Sequence, residues 1–266
     1  MSRDEADHGE DRRPDRADHV RALERGLAVL RAFAGERSLT LSEVARRTGL
    51  TRATARRFLI TLDRLGYLRR DGRDFALTPK VLELGHSYLS SLDLAALARA
   101  DMEALVARTH ESSSAAVLDG SEIVYVARVP TRQIMTVSLG VGSRLPAFAT
   151  AMGRVLLADL PADRLGCVLA ASDLRQWTPR TRTDPAELAA EIATVAARGW
   201  ALVDQELELG LRSVAAPLRD AAGRVVAALN VSTHVGRVTL GEVRDTLLPL
   251  LCDTATTIST RLSHRG

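Results

Sequence analysis

The chain has 266 residues, 46% of them hydrophobic and 26% charged, enough for one large domain or two smaller ones with cores of their own. At 3% aromatic content it is poor in the rings that stack single-stranded nucleic acid, and no apolar run approaches the about 18 residues of a membrane span. The net charge of +3 is small but uneven: residues 1–19 carry four Arg against seven acids, residues 20–78 thirteen Arg against six, and the remainder is near −1.

Residues 1–19, MSRDEADHGEDRRPDRADH, are charged where a secretory signal needs an apolar stretch, so a disordered tail on a cytoplasmic protein is expected. From there Val20, Leu23, Leu27, Leu30 and Ala34 recur at helical spacing and Gly35 ends the pattern, which predicts a first helix. In TLSEVARRTG, Thr40 and Glu43 have capping-box spacing, Leu41, Val44, Ala45 and Thr48 share a face, and Gly49 supplies the left-handed residue that ends a second, short helix. Thr51 then caps a third helix with Ala55, Phe58, Leu59, Leu62 and Leu65 as its buried stripe and Gly66 as its end. Two short helices joined by a tight glycine turn read as a helix-turn-helix, and YLRRDGRDFALT adds a hairpin around Asp71-Gly72, a wing.

Such a head, residues 20–78, offers the first turns of its third helix to the major groove while the wing reaches phosphate or a neighbouring groove. The candidate contacts to double-stranded operator DNA are Ser42, Thr51, Arg52, Thr54, Arg56 and Arg57 from the helices and Arg69, Arg70 and Arg73 from the wing. Arg52 and Arg56 can meet base edges, Thr51 and Thr54 can donate to phosphate, and the wing arginines would hold the backbone and fix register. Two plainer readings stand beside this one. The chain uses arginine almost everywhere, with Lys80 as its single lysine, and winged helices also serve as protein-contact or RNA modules.

Thr78-Pro79 caps and opens a helical connector over residues 79–110, of the kind that pairs two DNA-binding heads, so a homodimer or tetramer is expected. Over residues 111–266 alternation replaces the helical period. SSAAVLDG and EIVYVARV form a hairpin around Asp119-Gly120, QIMTVSL follows as a strand, and ATAMGRVLLADLP, PADRLGCVLA and DPAELAAEIATVAARG are helical. Strands return in WALVDQEL, LRSVAAPLRD and RVVAALNVSTH, and an amphipathic helix closes the chain from about Thr239 to Arg261. Hairpins with helices grouped between them predict an α+β domain on an antiparallel sheet.

Enzyme signatures are missing from this domain. GVGSRL lacks the third glycine of a dinucleotide loop, the six histidines are scattered without metal-ligand spacing, and Asp204, Glu206 and Glu208 suit a solvated or ion-paired strand end. Cys167 and Cys252, far apart, are expected to be buried or inert, and no metal or cofactor is expected. A binding pocket fits better. The helix opening at ATAMGR leaves the backbone N–H groups of Ala151, Met152 and Gly153 free to hold a carboxylate. Ser213 on one strand, with Asn230 and Ser232 two apart on another, can face it as small polar groups amid Ala, Val and Leu. The alternative is that Ser213 and Asn230 merely satisfy sheet-end backbone.

From Val20 to the last helix the chain resembles the IclR family of bacterial transcriptional regulators. The resemblance is carried by LTLSEVARRTGLTRATARRFLITLDRLGYL in the head, and by SLGVGSRLPAFATAMGRVLLA and GWALVDQELELGLRSVAAPLRDAAGRVVAALNVS beyond it. ESSSAAVLDGSEIVYVARVPTRQIMTVSLGVGSRLPA and TPRTRTDP look most like the subgroup that regulates the β-ketoadipate pathway. The resemblance implies a winged-helix head, a linking helix and a GAF-like effector domain in dimers or tetramers, with RNA polymerase as a further candidate partner. The effector it implies is a small organic acid such as protocatechuate, 4-hydroxybenzoate or a β-ketoadipate-like acid. Matching positions place effector contacts at Ala151, Met152, Asp204, Ser213, Asn230 and Ser232. Two positions depart from the family pattern: His110 stands where a helix-ending glycine is common, and Asn230 where a serine can stand. A regulator of sugar-acid or acetate and glyoxylate catabolism, or an enzyme on a GAF-like domain, are the rival readings.

Overall fold

Residues 19–92, 94–131 and 139–264 are described by the computed structural model, whose contacts divide the chain between Tyr88 and Leu89 into two units. The first is built from α1 (Arg21–Arg31), β1 (Leu39–Thr40), α2 (Leu41–Thr48), α3 (Arg52–Arg64), β2 (Leu68–Asp71) and β3 (Asp74–Leu77). Its local signals hold. The Thr40 hydroxyl accepts the Glu43 N–H at 3.3 Å while the Glu43 carboxylate accepts the Thr40 N–H at 2.7 Å, a reciprocal cap worth about 1 kcal/mol. Gly49, at φ 67°, ends α2, and Thr51 caps α3 by accepting the Thr54 N–H.

The core of this unit gathers Val29, Phe33, Val44, Leu59, Leu68 and Phe75. Two expectations need correction. Leu65, read as part of the buried stripe of α3, is 54% exposed, because the helix ends at Arg64 and the turn through Gly66 carries the side chain off the stripe. On α1 the buried residues are Val29 and, just beyond the helix, Phe33, whereas Val20, Leu23 and Leu27 form an apolar stripe that faces solvent. The wing gains a third strand that no sequence period signals: β1, two residues long, pairs antiparallel with β3 through Leu39 opposite Phe75. After β3, Thr78 caps a 3-10 turn over Pro79–Val81 before α4 (Leu82–Leu92) begins.

In the second unit α5 (Leu94–Thr109) ends at His110, which takes φ 56°, the left-handed conformation that glycine adopts more cheaply. Next come β4 (Ser112–Asp119), β5 (Glu122–Val129), β6 (Arg144–Pro146), α6 (Ala151–Leu157), α7 (Ala162–Ala171) and α8 (Pro185–Arg198). The chain continues through β7 (Ala201–Asp204), β8 (Leu211–Arg219), β9 (Val225–His234) and α9 (Leu240–Glu242), then a wide π turn over Val243–Leu247 and α10 (Leu248–Ser263). The strand expected over QIMTVSL lies, apart from Leu139, outside the described residues.

The six strands form one antiparallel sheet in the order β6-β5-β4-β9-β8-β7, the expected α+β architecture. Each face of the sheet has its own helices. α5 and α10 bring Met102, Leu105, Leu251 and Ile258 to one face, and α6 and α8 bring Met152, Val155, Leu188 and Ile192 to the other. Among the described residues no helix is long and apolar enough to cross a membrane. Cys252 is half-buried, and burial pushes its thiol pKa up; Cys167, expected to be buried or inert, is exposed on α7.

Candidate functional site

On the first unit, Ser42, Thr51, Arg52, Arg56 and Arg57 are exposed at the starts of α2 and α3, with Thr54 half-buried among them. Arg69, Arg70 and Arg73 are exposed on the hairpin. Arg70 is partly committed, since its Nε donates to the Gly72 carbonyl at 3.0 Å across the turn. Thr51 is committed as well: beyond its capping role its hydroxyl donates to Thr54 Oγ1 at 2.9 Å, which leaves Thr54 the freer donor of the two. Arg47, by contrast, is taken up inside the unit by Glu36 and the Ala32 carbonyl. Among the described residues the side chains of Arg52, Arg56, Arg57, Arg69 and Arg73 have no such partner, so their charge is available to an anionic polymer.

The second unit holds a cavity of about 510 Å³, counting its open mouth, between the first turn of α6 and the facing side of the sheet. Leu139, Leu145, Met152, Val203, Leu207 and Leu211 make it apolar; Ala151, Ser213, Asn230 and Ser232 line it as well. Register explains the polar group. Ser213 pairs with Ser232 and Ala215 with Asn230, so the three polar side chains stand on one face of β8 and β9. The Asn230 amide oxygen accepts the Ser114 N–H at 2.9 Å, which fixes the amide orientation and aims its Nδ2 at Ser213 Oγ (3.0 Å) and Ser232 Oγ (2.9 Å). Ser232 in turn donates to Ser213 at 3.2 Å. The cluster is a preorganised network.

Two placements differ from the sequence expectation, and a third meets it in a buried setting. The Gly153 N–H is not free for an anion, because Thr150 caps α6 and accepts it at 3.1 Å. Asp204 does not line the cavity: alternation along β7 puts Val203 on that face and turns Asp204 to the other. There it accepts from Arg212 Nε at 2.9 Å and from Arg180 at 3.1 Å. Glu206, read as solvated or ion-paired, is ion-paired, and it is also buried: the fully buried Arg154 of α6 binds both its oxygens, at 2.7 and 2.6 Å. It also accepts the Arg182 N–H at 3.0 Å, and Arg154 Nε donates to the Phe148 carbonyl at 2.9 Å. This pair fastens α6 to the β7–β8 connection that carries Leu207 into the cavity.

Sequence reasoning missed Tyr125 and Arg128, which also line the cavity. Burial pushes the Tyr125 phenol up to about 12, against a small opposing effect of Arg128, so it remains a neutral hydroxyl throughout the physiological range. The EIVYVARV pattern, read as strict alternation, sets these two residues on opposite faces, and nothing in the sequence marks the irregularity that joins them. Among the described residues no group of three or more His, Cys, Asp or Glu gathers at metal-binding reach.

Comparison with known proteins agrees with this two-part organisation. The IclR helix-turn-helix domain matches residues 22–72, and the bacterial transcriptional regulator IclR C-terminal domain matches residues 86–260. The Pca regulon regulatory protein of Pseudomonas putida is 49% identical over 236 residues, 88% of this chain and 81% of that protein. The p-hydroxybenzoate hydroxylase transcriptional activator of Acinetobacter baylyi is 39% identical over 244 residues, 90% of each chain. The crystal structure of an IclR homolog from Microbacterium hydrocarbonoxydans, complexed with 4-hydroxybenzoate, superposes with a TM-score of 0.80 at 27% identity, covering 91% of this chain and 98% of that one. With both domain models matched in order along one chain, on a winged helix followed by a sheet with a cavity, this protein belongs to the IclR family of bacterial transcriptional regulators.

Proposed function

We propose that this protein regulates a catabolic operon for aromatic acids by binding operator DNA through its winged helix and a small carboxylate through the cavity of its second unit. The observation that carries the reading is the cavity itself, apolar walls around the preorganised Ser213–Asn230–Ser232 network opposite Ala151 and Met152. The names of the relatives support the aromatic pathway. Functionally the chain divides into a head at 20–78, a connector at 79–110 and an effector domain at 111–266, and it binds rather than turns over its ligand. It works in the cytoplasm as a homodimer or tetramer, with RNA polymerase as a partner at the promoter. The solvent-facing stripe of Val20, Leu23 and Leu27 supports self-association, since contiguous exposed apolar surface favours a partner. Regulation requires that the effector favour one arrangement of the assembly over another, because equal affinity for both shifts nothing.

Thermal melting with protocatechuate, 4-hydroxybenzoate, β-ketoadipate and glyoxylate tests the effector. An aromatic-pathway acid is expected to raise Tm by several degrees while glyoxylate does not, and the reverse pattern would refute the assignment. On the DNA side, Arg56→Ala is expected to weaken operator binding by about 1–3 kcal/mol while random DNA loses less, whereas Arg73→Ala weakens both alike. Binding curves on the two DNAs decide: equal losses for Arg56→Ala would remove its base-reading role.

A further inference from the structure

Within the described lining of the cavity one side chain is ionised, Arg128, and no acid faces it. Its position comes from an irregularity in β5. Regular alternation would send Tyr125 and Arg128 to opposite faces, but the register shifts between Ala115 and Ala116, whose partners are Ala127 and Tyr125, so that Val126 is an extra residue. Val126 and Ala127 both pack into the core under α5 and α10. Arg128, opposite Ser114, thereby joins Tyr125, opposite Ala116, on the cavity face.

The buried arginines of this unit are paired, Arg154 with Glu206 and Arg212 with Asp204, whereas Arg128 is half-buried. Arg128 has no ion pair or hydrogen bond among the described residues. A half-buried guanidinium at the wall of an apolar cavity, with no counter-charge there, favours an anionic ligand over a neutral one. Arg128, Ser114 and Asn230 are successive register partners across β5, β4 and β9, so at about 4.8 Å per strand the Arg128 and Asn230 backbones lie about 10 Å apart. Both side chains line the cavity from the same face of the sheet, so a ligand lying across the strands can meet the two of them.

We propose that Arg128 is the residue that makes the cavity selective for a carboxylate, with the Tyr125 hydroxyl as the neighbouring donor and the Ser213–Asn230–Ser232 cluster at the far end of the ligand. The inference rests on the effector reading above. It assigns the anion to a side chain and not to the start of α6, where Thr150 already uses the Gly153 N–H.

The test is calorimetric titration of the full chain and of its Arg128→Gln and Arg128→Lys variants with 4-hydroxybenzoate, protocatechuate and the uncharged 4-hydroxybenzamide. Wild type should prefer the acid to the amide. Arg128→Gln should lose roughly 10- to 100-fold for the acids, the scale of a charge-assisted bond, and change little for the amide. Arg128→Lys, which keeps the charge but not the planar fork, should fall between them. An unchanged acid-to-amide ratio in Arg128→Gln, with an unligated Tm equal to wild type, overturns the inference and leaves the effector reading standing. Wild type that binds neither acid, nor β-ketoadipate in the melting series, overturns both. Should Arg128→Gln fail to fold, Arg128→Lys decides, since loss of the fork must weaken the acids and spare the amide.

Discussion

Glu206→Ala is expected to cost the second unit about 3–5 kcal/mol, because it leaves the Arg154 guanidinium buried without a counter-charge. With roughly 2–4 °C lost per kcal/mol in a domain of this size, Tm should fall on the order of 10 °C. The double replacement Arg154→Met with Glu206→Leu should be milder than Glu206→Ala, since removing both charges removes the desolvation that their attraction must offset. Urea unfolding of the three proteins checks this order. A loss below about 1 kcal/mol for Glu206→Ala would mean that water or another group reaches Arg154.

Gly153→Ala is expected to be comparably severe for a different reason. A Cβ at Gly153 would lie 2.1 Å from the Ala147 carbonyl oxygen and 2.4 Å from its Cα, and both obstacles are backbone. No rotamer change relieves such a contact. α6 must move off the Ala147–Thr150 turn, which also breaks the Thr150 cap, and the loss should reach about 3 kcal/mol, the upper part of the overpacking range. Because Ala151 and Met152 line the cavity from the same turn, ligand binding should weaken along with Tm. Gly166→Ala is the matched control. Nothing lies within 4 Å of a Cβ there, and replacing glycine inside a helix should be neutral or slightly stabilising. Equal melting of the two variants would refute the steric account.

What the sequence made legible was what its near neighbours decide. Thr40 with Glu43, Gly49 and Thr51 announce helix ends within a few residues, and each end is made as expected. Alternation likewise put Asn230 and Ser232 on one face, and the register added Ser213 to them. The failures are long-range or irregular. The partner of Glu206 is 52 positions away, and no local pattern distinguishes a buried bidentate carboxylate from a solvated one. β1 is two residues long, too short to show any period. Resemblance suggested Asp204 as an effector contact, yet strand parity turns it toward Arg212. Arg128 escaped because reading alternation from sequence assumes an unbroken strand.

Val126 can also be viewed in terms of heredity. Because it is supernumerary to the pairing of β4 with β5, it behaves as an insertion that the sheet has absorbed. Loss of that single codon would leave Tyr125, Ala127 and Arg128 opposite the same partners and facing as they do now, at the expense of one valine from the core beneath α5 and α10. An added codon between Ala127 and Arg128 would instead carry the guanidinium to the apolar side of the sheet. Descendants of this chain can therefore shorten β5 and keep their cavity charge, whereas lengthening it there would erase that charge in one step.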